Sequence, residues 1–305
     1  MLPQSHVFEQ VVSKPRLDSY RGYWKVNLDT AIGLYMWNGE VCGELSKLLS
    51  YLEISLRNSI HRELSLNASG GSSTSCHWWD IHASALKSEA KKQIKRVRDK
   101  APAHVTLSPD EIVSRLTFGF WPNIFTWLAK QFPTLPPKVL PAHLLSLPGA
   151  APNWFSLPDR HAACIELLEF SDTRNRIAHH EPLWKFSDVL DTSPVAPAPA
   201  ILLCPASVDE ASTFFRFARL LALLDRTVHA LSPDLQANLV ASSWRARLDF
   251  LLSPRGVQRF KDGCHVVQTP SMSVNSLRQQ LAAVMQRNRP VKLFDHGGEG
   301  IFIPA

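Results

Sequence analysis

The chain has 305 residues, 45% of them apolar, which is enough nonpolar surface for one large packed domain or two small ones. Its 33 lysines and arginines against 27 acids leave a net charge of +6, a balance that favours a polyanionic partner. Five cysteines, odd in number and without a Cys-x-x-Cys pair, argue against a disulfide framework and a zinc ribbon and fit a reducing compartment.

No basic region followed by an apolar run marks a secretory signal. The best apolar run, Leu220 to Leu224, is closed by Asp225 and Arg226, so no bilayer span is expected and the protein is read as cytoplasmic. Apolar residues recur at steps of three and four, which predicts a mostly helical chain. From Gly43 to Leu66 one stripe of Leu45, Leu48, Leu49, Leu52, Ile54, Leu56, Ile60 and Leu64 predicts a core helix. A Ser/Gly-rich loop over Asn67 to Ser75 and the pair Trp78-Trp79 follow, then a helix from about His82 to Lys100. Ser108-Pro109-Asp110-Glu111 reads as a helix start. That helix continues, with a break, through Leu116 to Leu128, where Pro122 interrupts or restarts it. Phe118, Phe120, Trp121, Phe125 and Trp127 lie there, and core packing is favoured over base stacking for them.

Seven prolines between Pro133 and Pro158 predict a loop with short turns, after which a helix resumes near Pro158. The segment from about 191 to 205 reads as a Pro-rich linker or insertion. Ser207-Val208-Asp209-Glu210 is taken as a capping box for a helix carrying Phe214, Phe217, Leu220, Leu221, Leu224 and Val228 on one face. One further helix is expected over Pro233 to Leu252. Beyond Gly256 the pattern shortens, with a helix at Val274 to Arg287 and a hairpin of Val291 to Phe294 and Ile301 to Ile303. The expected organisation is an all-α domain over 1–255 and a small α+β appendage over 256–305.

The stretch Arg174-Asn175-Arg176-Ile177-Ala178-His179-His180-Glu181 concentrates chemistry. At 100° per residue Asn175 and His179 share a helix face with Arg174 beside it. A guanidinium fork binds phosphate oxygens bidentately, and imidazole can give or take a proton near neutrality; RNA cleavage through the 2'-hydroxyl needs both. That chemistry requires no metal and no cofactor. The competing reading is a solvated helix end, with basic residues on the C-terminal dipole and Pro182 as the stop. His180-Glu181 lacks the second histidine of a zinc-protease motif.

Arg174 to Leu183 resembles the signature of the bacterial abortive-infection (Abi-like) family within the HEPN ribonuclease superfamily. Leu116-Thr117-Phe118-Gly119-Phe120-Trp121 is similar to that family's aromatic segment, Leu52 to Ile60 to its Leu-Arg-Asn helix, and Leu34-Tyr35-Met36-Trp37-Asn38 is a shorter match. The four occur in the family's order across roughly residues 16–230, and the Pro-rich insertion and the C-terminal region lie outside the match. The resemblance implies a HEPN-type helical bundle that forms a homodimer and serves anti-phage defence or a toxin-antitoxin system, with RNA as substrate, a regulatory small RNA and an antitoxin as further partners. By position, Arg174 would bind the scissile phosphate, His179 would transfer protons and Asn175 would orient the histidine or backbone, with His180 and Glu181 secondary. The alternative is a non-catalytic component that binds RNA or a partner protein.

A second Arg-Asn pair, Arg57-Asn58, leads to His61; a structural role, such as pairing with Glu53, is weighed there against lining the RNA path. Residues 87–100 carry seven basic and two acidic side chains, and Lys91, Lys92, Lys95, Arg96 and Arg98 form a candidate phosphate track or a merely solvated face. Cys76, His77 and His82 lack a fourth ligand at suitable spacing, so no metal site is assigned.

Overall fold

The computed structural model describes residues 5–102, 104–141, 157–191, 199–263, 271–287, 291–295, 297–302 and 304. Two short helices, α1 (Ser5–Val12) and α2 (Lys14–Trp24), lead into α3 (Leu28–Ala68). At 1.5 Å per residue the 41 residues of α3 run about 60 Å. Asn27 caps it, its side chain accepting from the Thr30 amide at 2.9 Å. The expected helix from Gly43 is the second half of this element, and of its expected stripe only Ile54 is exposed. Glycines at 33, 39 and 43 lower local propensity, but the buried row continues through them as Leu34, Trp37, Val41 and Leu45. Tertiary burial overrides the local preference.

Around α3 pack α1, α2 and seven later helices: α4 (Trp78–Ile81), α7 (Phe120–Gln131), α8 (Pro136–Val139), α9 (Leu157–Ala178), α10 (Glu210–Leu231), α12 (Ser243–Leu251) and α13 (Pro254–Lys261). The helix expected from His82 begins later, as α5 (Ser88–Asp99), because the Ala85 carbonyl accepts instead from Trp127 Nε1 at 2.9 Å and Leu86 turns inward. α6 (Pro109–Arg115) starts on a true capping box between Ser108 and Glu111. The chain breaks at Leu116 and restarts as α7 with Pro122 in its first turn, where a missing N–H costs nothing. All five aromatics of this region are buried.

Other boundaries also depart from the expected ones. The α10 cap is Asp209 paired with Ser212, while Ser207 instead donates to the Trp184 carbonyl and accepts from the Phe186 amide. The helix expected over Pro233 to Leu252 is two, α11 (Pro233–Val240) and α12, because Ser242 caps the second through the Arg245 amide. The stretch expected as a Pro-rich linker over 191–205 contains a strand, β2 (Ile201–Cys204), antiparallel to β1 (Val189–Asp191), and the prolines at 194, 197 and 199 fall between the two. Residues 142–156 and 192–198 lie outside the described residues.

The expected boundary at Gly256 falls inside α13, which packs on α3 and belongs to the helical body. A Cβ at Gly256 would stand 2.0 Å from the Phe250 carbonyl oxygen, so only glycine allows α13 to turn back this tightly on α12. The α+β part that follows has β3 (Ser271–Ser273) parallel to β4 (Val291–Asp295), α14 (Val274–Arg287) as the crossover, and β5 (Gly298–Phe302) antiparallel to β4. The fold is thus mostly helical with a small C-terminal α+β part. Among the described residues no helix is long and apolar enough to cross a membrane.

Candidate functional site

α9 is set in register by its neighbours. Glu169 accepts two bonds from Arg219 of α10, at 2.7 and 2.8 Å, and Glu166 pairs with Arg226 about two turns further along α10. Burial pushes the Glu166 carboxyl above its ordinary range, and the Arg226 guanidinium opposes that shift. On the other flank Ala163, Cys164, Leu167 and Phe170 enter the core, and α7 lies alongside.

The helix ends in a Schellman motif. Glu181 N–H reaches the Arg176 carbonyl at 2.8 Å, and His180 N–H reaches the Ile177 carbonyl at 3.0 Å. His180 takes the left-handed position, with φ 55°, that glycine usually fills. The loop beyond is held from both sides. Asn38 of α3 accepts from the Leu183 amide at 2.8 Å, and Trp184 is packed among Tyr20, Tyr23 and Trp24. Arg176 donates to the carbonyls of Pro182 and, at 2.9 Å, Lys185, with Glu181 at 3.7 Å. Burial lowers the Arg176 pKa, opposed by the charges of Asp172 and Glu181. Arg176 is therefore a structural tie for the loop.

This arrangement leaves an open groove of about 460 Å³ at the end of α9, lined by Asp172, Asn175, His179, Glu181, Lys185 and the base of Arg176. Asn175 and His179 meet there as their spacing requires. Arg174 does not line the groove. One 100° step around the helix places it where its charge acts on Glu53 of α3, together with that of Arg57. Burial of Glu53 raises its carboxyl pKa, and the two arginines pull it back down. The expected three-way convergence thus divides into Asn175 with His179 on the groove and Arg174 with Arg57 and Glu53 beside α3. Lys185 is a groove cation that spacing could not reveal, since it reaches the site only through the loop that Arg176 folds back.

His61 is 5% exposed and does not line a path for RNA. Its Nδ1 accepts from Trp78 Nε1 at 3.0 Å, and its Nε2 faces Ser75 Oγ at 3.2 Å and Asp110 Oδ1 at 3.3 Å. Ser75, His61 and Asp110 have the composition of a hydrolytic triad, yet the geometry rules out that use. With Nδ1 occupied by an N–H donor, the neutral ring carries its proton on Nε2 and cannot take one from Ser75. Among the expected basic residues of α5, all exposed, Lys95 pairs with Asp99 at 2.6 Å and Arg98 with Asp80 at 2.5 Å. Lys91 and Lys92 stand on the open face, and Arg96 alone of the five lines a groove. Cys76, His77 and His82 are engaged separately, with the Ser65 carbonyl, the Leu107 carbonyl and the Trp127 and Phe132 rings. No family model, curated protein or solved structure matches this chain.

Proposed function

We propose that the chain is a metal-independent RNA endonuclease of HEPN type that acts in abortive infection or a toxin-antitoxin pair, in the cytoplasm and as a homodimer. The observation that carries the reading is the pairing of Asn175 and His179 on one open groove whose loop is tied rigidly behind it. In the proposed reaction the 2'-oxygen of the RNA attacks the adjacent phosphorus, and the P–O5' bond breaks. A 2',3'-cyclic phosphate and a 5'-hydroxyl are left. His179 moves a proton at the attacking or leaving oxygen, and Asn175 orients the ring or the substrate. Lys185 from the groove neutralises the phosphate, and Arg174, which stands beside Glu53 rather than on the groove, would have to turn from there to reach it.

A non-catalytic reading, in which the same groove only binds RNA or a partner protein, draws on the position of Arg174 away from His179. Incubation of purified protein with RNA in EDTA separates the two. Cleavage that is lost in His179→Ala supports the enzyme, and binding without cleavage supports the module.

A further inference from the structure

A second groove, of about 590 Å³, lies between α5 and the chain joining α6 to α7. On α5 and its C-cap it is lined by Gln93, Arg96, Val97 and the capping Lys100, at i, i+3, i+4 and i+7, and opposite them stand Arg115 and Thr117. Three cations share the groove and no acid lines it. Arg96 and Lys100 sit four residues apart, a spacing at which like charges repel. Elsewhere on the same helix the charge is compensated, Lys95 by Asp99 and Arg98 by Asp80. Glu111, four residues before Arg115, is bound in the Ser108 cap, and its charge also acts on Arg115. The groove therefore concentrates three positive charges that the protein offsets only in part, from outside the groove lining.

We propose that this groove binds the phosphodiester backbone of single-stranded RNA. Its volume is that of a small-ligand pocket, suited to a short stretch of one strand and too small for a duplex. Thr117 and Gln93 supply hydrogen-bonding groups for sugar and base, Val97 supplies an apolar wall, and the cations supply the positive track that follows the backbone in sequence-tolerant single-strand grooves. The groove lies near the helix that carries the first one: two residues after Thr117, a Cβ at Gly119 would stand 3.3 Å from Ser171 Oγ of α9, and the buried Ser171 precedes His179 by about 12 Å along the helix axis. As a substrate path the proposal rests on the endonuclease reading; as a binding site it stands separately.

The test uses a fluorescently labelled 2'-O-methyl RNA strand, which lacks the attacking hydroxyl and stays intact. Its affinity is measured by anisotropy across a salt series. For Arg96→Gln/Lys100→Gln/Arg115→Gln we expect at least a tenfold loss of affinity. The slope of log K against log salt should fall by about 2, three contacts at about 0.7 each. The charge-matched control Lys91→Gln/Lys92→Gln/Lys95→Gln should lose less than half as much. Equal losses in both triple variants, no binding by the wild type, tighter binding of duplex DNA, or preference for a polyglutamate peptide would each overturn the groove. Should the triple variant fail to fold by circular dichroism, the three single variants carry the same test at about 0.7 in slope each. Parallel cleavage of ordinary RNA keeps the two claims apart. Groove-dependent binding without cleavage retains the groove and removes the endonuclease, and cleavage with groove-independent binding does the reverse.

Discussion

The proton of His61 stands on Nε2 because Trp78 donates to Nδ1, and protonating the ring would break that bond inside the core. Burial holds the His61 pKa below its ordinary 6.5, only partly offset by Asp110. The unfolded chain therefore binds more protons than the folded one once the pH drops below about 6.5, and stability should fall with pH in that range. Urea midpoints measured at neutral pH and near pH 5.5 check this, and the decline should be smaller in His61→Gln. A wild-type decline matched by His61→Gln would assign the effect to other groups. The string Arg57-Asn58-Ser59-Ile60-His61 could not announce this role. Its decisive partners, Trp78, Ser75 and Asp110, are brought to His61 by a loop and by a separate helix. His180 presents the opposite case. Its place two residues before Pro182 marks a helix end in the sequence, and the structure gives it the left-handed cap position.

At the scale of elements, the loop after α9 depends on one side chain. Arg176 satisfies two backbone carbonyls of the loop, one of them part-buried, so Arg176→Ala would lose both charge-assisted bonds. We expect a loss of about 1.5–3 kcal/mol of stability, read as a lower urea midpoint at unchanged m-value. A change within about 0.5 kcal/mol, the usual range for surface substitutions, would show that the loop holds without it. Most helices were legible because their apolar rows are long: Leu45 to Leu64 on α3 and Phe217 to Val228 on α10 write the 3.6-residue period directly. Boundaries were less so. Ser207 resembles a cap in sequence, but the Trp184 carbonyl and the Phe186 amide take it, and the cap passes to Asp209. The β1–β2 pair hid behind its prolines because each strand is only three or four residues long. In the site, the Asn175 and His179 pairing follows from helical spacing, whereas the placement of Arg174 beside Glu53 and of Lys185 on the groove depends on α3 and on a folded loop.

For the molecule as a whole, α3 is the spine against which both halves of the sequence pack, the aromatic segment through α7 and the last helices through α12 and α13. The candidate groove at the end of α9 is thus mounted on the packed helical body, as the proposed proton transfer would require. If two copies combine their grooves, as the proposed homodimer implies, light scattering should return twice the 34.2 kDa chain mass, and a monomeric mass at working concentration would leave each groove to act alone. The most direct test of the central claim is RNA cleavage in EDTA by wild type and by His179→Ala, both shown folded by circular dichroism. General acid-base catalysis is typically worth about 10²- to 10⁴-fold, so the account predicts products ending in 2',3'-cyclic phosphate from the wild type and a loss of at least about 100-fold in the variant. Equal cleavage by the two proteins would contradict it.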